Sequence, residues 1–339
     1  MKTIYDIAKE AGYSTATVSK VLNGYKGVSS AARKKILQVV KENNFVPNAN
    51  AKTLLSGKSY LLGITTLASP NDLLSPFLSE VISSFKFESE KKGYDIIFLS
   101  NKIGKNKVTY VEHCLTRNLD GILLAVAEGD YPSELAKRFM ELVEYDIPKV
   151  SVQGIYPNVD FVLSDNTNAA IAGLEYLYSL GHREIGLVNV TGISLASVQR
   201  TEGYREFLEL HGLPFREEYV FSAESYTGNA GLKIAGAVAE QKNLTAIFCI
   251  FDEVTAGLMQ GLRKLGISIP NDISVLSFDD LPLAKYMGLT TMRQYRKEIG
   301  ALAAKKLIEI IESGEESKRG NILMDTKLVI RSTCKKLKL

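Results

Sequence analysis

The stretch that decides the reading is Thr3-Ile4-Tyr5-Asp6-Ile7-Ala8-Lys9-Glu10-Ala11-Gly12-Tyr13-Ser14-Thr15-Ala16-Thr17-Val18-Ser19-Lys20-Val21-Leu22-Asn23-Gly24. Thr3 stands where a helix N-cap belongs. Apolar residues follow at Ile4, Ile7, Ala8 and Ala11, the spacing of one helical face. Asp6, three residues past the cap, is placed to answer the Thr3 backbone N–H, although Asp is shorter than the usual Glu. Gly12 ends this helix and supplies a tight turn. Ser14 caps a second helix over 15–22 with Val18, Val21 and Leu22 turned inward, and Asn23-Gly24 breaks it. Two short helices joined through a glycine turn predict a helix-turn-helix. Its second helix is the one that enters a major groove. The outward residues there are Thr15, Ala16, Ser19 and Lys20. Thr and Ala pack on a thymine methyl, and Lys donates to guanine O6 or N7. Thr17, Ser19 and Asn23 are placed to touch phosphate or to cap locally. Helical spacing alone also fits any small three-helix bundle.

Working outward, Ser29 or Ser30 opens a third helix to about residue 43, with Ile36, Leu37 and Val40 on one face. Arg33, Lys34, Lys35 and Lys41 lie along its polar surface. Residues 1–58 hold ten Lys/Arg against three acids (Asp6, Glu10, Glu42), a net +7. Of the totals of 41 basic and 38 acidic residues, 31 and 35 are left for the remainder, a net −4. A compact basic head on a mildly acidic body points to a polyanionic partner for the head alone.

The chain of 339 residues is too long for one ordinary domain. Beyond residue 60, short apolar runs at 60–66, 94–100, 121–126, 149–153, 161–163, 184–189, 246–251 and 274–278 read as strands. Amphipathic stretches at 76–92, 106–117, 132–144, 167–180, 197–211, 228–241 and 252–265 read as helices. Strands with helical crossovers mean parallel sheets. Eight such units exceed one comfortable sheet, so two doubly wound lobes are expected, with ligand at the carboxyl ends of their strands. The division expected is 1–46 for the head, 47–59 for a hinge and 60–339 for a two-lobed core that binds effector and dimerises.

The wording of 3–24, continued by Val28-Ser29, Asn44-Phe45-Val46-Pro47-Asn48-Ala49, Leu54 and Gly57, closely resembles the opening of the LacI/GalR family of bacterial repressors. In the core, Ser75-Pro76-Phe77, residues 162–166, Gly181-His182-Arg183, Phe278-Asp279-Asp280 and residues 290–294 match family landmarks. The resemblance implies a periplasmic-binding-protein-like α/β core behind an all-α helix-turn-helix head. It places Thr15, Ala16 and Lys20 at base-reading positions, and Thr3, Tyr5, Ser14, Thr17, Ser19, Asn23, Asn48 and Ala51 in the wider DNA-contact set. Pro47 suits the first turn of a short helix over 48–55, which Gly57 stops. This segment has too few apolar residues to fold alone. In the family it is a hinge helix that orders when two subunits meet over the minor groove, with a leucine at the position of Leu54 wedged into the central base step. The alternative makes Leu54 and Leu55 anchors against the core.

The same resemblance implies an effector site. Arg200 falls where the family grips ligand oxygens, Tyr226 where it sets an aromatic ring, and Phe77 and Leu78 where the far side of the cleft closes. Asp165, Asp252 and Asp279 each end an apolar strand, where a carboxylate accepts two hydroxyl hydrogen bonds. Phe251 stands where sugar-responsive members often carry a small or amide residue. Ser194 and Ala196 replace polar contacts of the purine repressor. The alternatives are helix capping for Asp252 and Asp279, a surface ion pair for Arg200 and core packing for Phe77. A carbohydrate is expected as effector, ahead of a purine or nucleoside. A protein co-effector, as in catabolite control, would want basic residues about the place where Tyr286 and Met287, themselves uncharged, stand. His182 is expected in a loop.

Other classes are excluded on motif. The first core strand runs into Leu67-Ala68-Ser69-Pro70-Asn71-Asp72-Leu73 rather than GxGxxG, and no GxSxG, HExxH or P-loop occurs. Neither enzyme activity nor a cofactor is expected. Cys114, Cys249 and Cys334 are far apart and three scattered histidines make no metal site, which fits a reducing cytosol. No secretory or membrane-spanning segment is read, which argues against a free solute-uptake protein. Residues 331–339 carry no leucine heptad, so a homodimer is expected on a pseudo-palindromic operator.

Overall fold

The computed structural model describes residues 2–45, 58–66, 75–126, 133–190, 194–313 and 320–337. Contacts divide the chain into two units, Met1–Tyr60 and Leu61–Leu339. The smaller holds α1 (Ile4–Ala11), α2 (Thr15–Leu22) and α3 (Ser30–Glu42). The capping box closes even with the short Asp. Thr3 Oγ1 accepts from the Asp6 N–H at 3.4 Å, and Asp6 Oδ2 accepts from the Thr3 N–H at 2.7 Å. Gly12 sits at φ 75°, a left-handed position that favours glycine. Ser14 and Ser29 cap α2 and α3 by accepting from the N–H groups of Thr17 and Ala32. Ile7, Ala11, Val18, Val21, Ile36 and Val39 pack as the core of this unit.

One expectation in α3 fails. Leu37 is 46% exposed, and Val39 takes the inward place. The buried face follows Ala32, Ile36 and Val39, and Leu37 lies about 100° round the helix from Ile36.

In the larger unit, β1 (Leu61–Thr65), α4 (Pro76–Lys91), β2 (Asp95–Phe98), a hairpin of β3 (Lys102–Ile103) and β4 (Asn106–Lys107), α5 (Tyr110–Arg117), β5 (Gly121–Leu124), α6 (Ser133–Glu144), β6 (Lys149–Ser151) and β7 (Asp160–Ser164) build the first lobe. The second lobe holds α7 (Asn166–Ser179), β8 (Ile185–Val190), α8 (Leu195–Leu210), β9 (Val220–Ala223), α9 (Gly228–Glu240), β10 (Ala246–Cys249), α10 (Asp252–Lys264), β11 (Ser274–Asp279), α11 (Pro282–Tyr286) and β12 (Thr290–Arg293). Then α12 (Arg296–Ser313) and β13 (Ile322–Met324) return to the first lobe, and β14 (Lys327–Val329) closes the second.

The sheet orders are β13-β7-β6-β5-β1-β2 and β14-β12-β11-β10-β8-β9. Pairing is parallel apart from β14 on β12 and the small hairpin. The chain thus passes between lobes three times, after β7, after β12 and between β13 and β14. Central strands β5, β7, β10 and β11 are buried along their whole length, as parallel strands covered on both faces must be. In the second lobe α9 and α10 touch through glycine. A Cβ on Gly257 would lie 1.7 Å from the Gly228 carbonyl oxygen.

All eight expected strands are present within a few residues. The structure adds β9, β12, β13, β14 and the hairpin, and helices α11 and α12. The added outer strands β9, β13 and β14 are three or four residues long and partly exposed, so they lack the long apolar run that marks a central strand. The helix expected over 106–117 begins only at Tyr110. Thr109 and Glu112 form a capping box there, and Asn106–Lys107 pairs back on Lys102–Ile103.

Candidate functional site

In the smaller unit α2 presents Ala16 and Lys20 fully exposed, with Thr15 and Ser19 half-buried beside them. Tyr5 on α1 is 73% exposed, an unusual place for a large ring without a partner surface. Thr17 and Asn23 do local work. The Thr17 hydroxyl meets Ser14 Oγ at 2.8 Å, and Asn23 Nδ2 donates to the Ser19 carbonyl at 3.0 Å. Arg33 is turned back onto the Tyr25 carbonyl at 2.7 Å. Asn48, Ala51 and Leu54, together with Leu55, lie outside the described residues.

The larger unit contains a cavity of about 280 Å3 at the carboxyl ends of both sets of strands. Of the sequence-expected residues, Phe77, Leu78, Arg200, Tyr226, Phe251 and Asp279 line it. Leu78 also packs in the first-lobe core. Arg200 is buried to 2% exposure, which rules out a surface ion pair. Its Nε donates to Asn166 Oδ1 at 3.0 Å and its Nη1 to the Ile250 carbonyl at 2.6 Å. Nη1 also lies 3.3 Å from Asp279 Oδ1. The guanidinium carbon sits 3.6 Å from the Phe278 ring centroid and 4.8 Å from that of Phe251. Tyr226 meets Phe251 edge-on at 4.8 Å. This leaves Arg200 Nη2 without a hydrogen-bond partner among the described residues.

Asp279 ends β11 at φ 114°, and Asp280 follows at φ 52°. Two consecutive non-glycine residues in left-handed backbone are strained and persist only where their surroundings hold them. Here Arg296 donates to both carbonyls, reaching Asp280 O at 3.1 Å, and Arg293 and Arg331 each grip the Asp280 carboxylate at 2.6 Å. Gln294 Nε2 donates to Asp279 Oδ1 at 2.6 Å. Burial pushes the Asp279 carboxyl up, against the pull of Arg200. Burial pushes the Arg200 guanidinium down, and Asp279 opposes this.

Two expectations are corrected. Asp252 neither caps α10 nor lines the cavity. The N-cap there is Phe251, without a side-chain bond. The fully buried Asp252 carboxyl instead accepts from the Leu281 N–H at 2.7 Å and the Thr291 hydroxyl at 2.8 Å, pinning the β11–α11 corner from behind. Burial first, then the Asp279 charge, pushes its carboxyl up to about 7. Asp165 is no cavity residue either. It caps α7 by accepting from the Asn168 N–H at 3.2 Å, and its neighbour Asn166 is the residue turned inward.

The sequence reading missed Ser164, Asn166, Glu253 and Gln294, all cavity-lining. Ser164, Asn166 and Glu253 lie at or next to a strand end already singled out, and Gln294 in the landmark at 290–294, but position alone does not say which of two neighbouring polar residues faces inward. Ser194 and Ala196 line the cavity as well. His182 lies in the loop between α7 and β8, as expected, and is buried there between Thr245 Oγ1 at 2.9 Å and the Lys335 carbonyl at 3.0 Å. Among the described residues no group of His, Cys, Asp and Glu could hold a metal ion, and no helix is long and apolar enough to cross a membrane.

A helical unit with an outward-facing second helix, in one chain with a two-lobed α/β unit that has a cleft at its strand ends, defines a ligand-responsive DNA-binding regulator. Residues 3–48 match the bacterial regulatory proteins of the lacI family, and residues 174–334 match the periplasmic binding protein-like domain. The HTH-type transcriptional repressor PurR of Vibrio parahaemolyticus is 31% identical over 345 residues, covering 99% of this chain and all of the relative. The Ribose operon repressor of Haemophilus influenzae is 26% identical, with both chains covered fully. The crystal structure of the lac repressor dimer bound to operator and the anti-inducer ONPF superposes with a TM-score of 0.80 at 22% identity, covering 98% of each chain. The chain belongs to the lacI family of bacterial regulatory proteins. It is a DNA-binding transcriptional repressor, as such relatives are, and not an enzyme.

Proposed function

We propose that this repressor binds a pseudo-palindromic operator as a homodimer in the cytoplasm, and that a small carbohydrate in the cleft sets its operator affinity. The observation that carries the effector reading is the buried Arg200–Asp279 pair at the cavity floor, flanked by Tyr226 and Phe251. A guanidinium with a free nitrogen beside a carboxylate donates to and accepts from vicinal hydroxyls, and aromatic rings cover the apolar face of a sugar. The cavity volume of about 280 Å3 lies at the low end of the range of roughly 300–1,000 Å3 usual for ligand pockets, which favours a monosaccharide over a longer saccharide. A relative named for the ribose operon is consistent with this.

In the same reading Thr15, Ala16 and Lys20 read bases. Thr3, Tyr5, Ser14, Thr17, Ser19, Asn23, Asn48 and Ala51 position the head, and Leu54 opens the central step from a hinge over 47–59. An effector shifts DNA binding only through different affinities for two core arrangements, typically about 1–3 kcal/mol of coupling. The experiment is calorimetric titration of the full chain with pentoses and hexoses, beside operator binding with and without each. Absence of heat with all of them rejects the carbohydrate. A second reading, a purine effector, is favoured by the PurR relatives. Ser194 and Ala196, which stand where the purine repressor has polar contacts, weigh against it. Hypoxanthine in the same titration decides between them.

A further inference from the structure

The cavity carries an electrostatic imbalance that a neutral sugar does not use. Among the described residues lining it, Arg200 is the one cation, while Glu253 and Asp279 are anions. Arg200 is matched by Asp279 at 3.3 Å. Glu253, half-buried in the first turn of α10, has no hydrogen-bond or ion-pair partner among the described residues. Burial and the nearby Asp279 charge push its carboxyl up, so its surroundings penalise this anion. A second group points the same way. Ser164, at the end of β7, lines the cavity and is buried at 4% residue exposure, and its Oγ has no hydrogen-bond partner among the described residues. Buried polar groups without partners are rare in folded proteins, and one that faces a cavity is explained by what fills it.

We propose that the effector carries a protonated amine, an amino sugar in place of a neutral or phosphorylated one, with the ammonium taken by Glu253 and another polar group by Ser164. This rests on the reading of the cleft as a carbohydrate site. The ammonium supplies the positive charge that the lining lacks, and a charge-assisted N–H···O bond is about twice as strong as a neutral one. Where Tyr226, Phe251 or Phe77 turns a ring face to the ligand, that face accommodates a cation better than an anion. A phosphorylated sugar would place its charge against Glu253 with the one lining guanidinium already paired. The dull reading of Glu253 is a first-turn acid that complements the dipole of α10. That role would affect folding and leave ligand choice alone.

The test is calorimetric titration of the full-length chain with D-glucosamine, D-glucose and D-glucose 6-phosphate, on wild type, Glu253→Gln and Ser164→Ala. Expected for the wild type is glucosamine binding at least roughly tenfold tighter than glucose, with glucose 6-phosphate weakest. Glu253→Gln removes that preference by weakening glucosamine about tenfold and leaving glucose unchanged. Ser164→Ala weakens both sugars several-fold, about the effect of one lost hydrogen bond. Equal glucosamine affinity in wild type and Glu253→Gln, or glucose binding as tightly as glucosamine, overturns the amine and leaves the carbohydrate reading standing. Silence from all three sugars overturns the amine, and the carbohydrate reading falls with it only if the pentoses and hexoses are silent as well.

Discussion

Replacing Arg200 by Met tests whether the cleft is a site held together by charge. Arg200 makes two hydrogen bonds to neutral acceptors and one ion pair, all inside the protein. Its removal leaves Asp279 buried with Gln294 as the remaining donor to its carboxylate. The charge then has an escape, because the carboxyl can take a proton. With an ordinary value of 3.8, protonation at pH 7 costs about 4 kcal/mol, at about 1.4 kcal/mol for each pH unit. At pH 5 the same step costs roughly 2 kcal/mol. The first figure agrees with the loss of about 3–5 kcal/mol expected when one partner of a buried pair is removed. Arg200→Met is therefore expected to lower core stability by ~4 kcal/mol at neutral pH and by about half as much at pH 5. In Arg200→Met/Asp279→Asn the dependence on pH of this loss disappears, the signature of coupling between neighbours. Urea unfolding followed by far-UV circular dichroism at the two pH values reads the wild type and both variants, since the chain has no tryptophan. A loss at pH 7 below about 1 kcal/mol, or equal losses at both pH values, would refute the argument. The same variant should lose effector binding, so a ligand defect has to be read on protein shown to be folded.

Four further outcomes are expected. Asp252, with a carboxyl near 7 against an unfolded value of 3.8, contributes stability present in acid and lost as pH rises through about 7. The melting midpoint of the core should thus fall between about pH 4 and about pH 7 and level off above that, and Asp252→Asn should flatten that slope. Gly257→Ala forces a methyl into the Gly228 carbonyl oxygen at 1.7 Å, and should cost ~3 kcal/mol or more in the same unfolding assay. Thr3→Ala removes the capping box of α1 and should lower the melting point of the head, for a loss of about 1 kcal/mol. Leu54→Ala should weaken operator binding by roughly 1–3 kcal/mol while sparing random DNA, measured by fluorescence anisotropy; equal losses on both would count against the wedge.

Much of this protein is local, and local order is legible in a sequence. Thr3, Asp6, Gly12 and Ser14 act within a few residues of themselves, so the helix-turn-helix could be read from residue types and spacing alone. The central strands could be read for a related reason: burial on both faces demands an unbroken apolar run, as in Gly121–Leu124. Edge strands face solvent on one side and carry no such demand, which is why β13 and β14 were not legible. The eighteen-residue α12 is legible from its apolar period through Ile299, Ala303 and Leu307.

The site divides along the same line. The family resemblance placed Arg200 in a cleft and its strand-end position placed Asp279 there, with a surface ion pair and helix capping as the alternatives. Which carboxylate enters the cleft did not follow from the chain. Asp165, Asp252 and Asp279 look alike in sequence, each closing an apolar strand. Tertiary packing sends the first to cap α7, the second behind the β11–α11 corner and the third onto Arg200. The physical reason is that a side chain's direction at a strand end depends on the backbone turn that follows. That turn, with Asp279 and Asp280 both left-handed, is held by Arg293, Arg296 and Arg331 from 13 to 51 residues further along the chain.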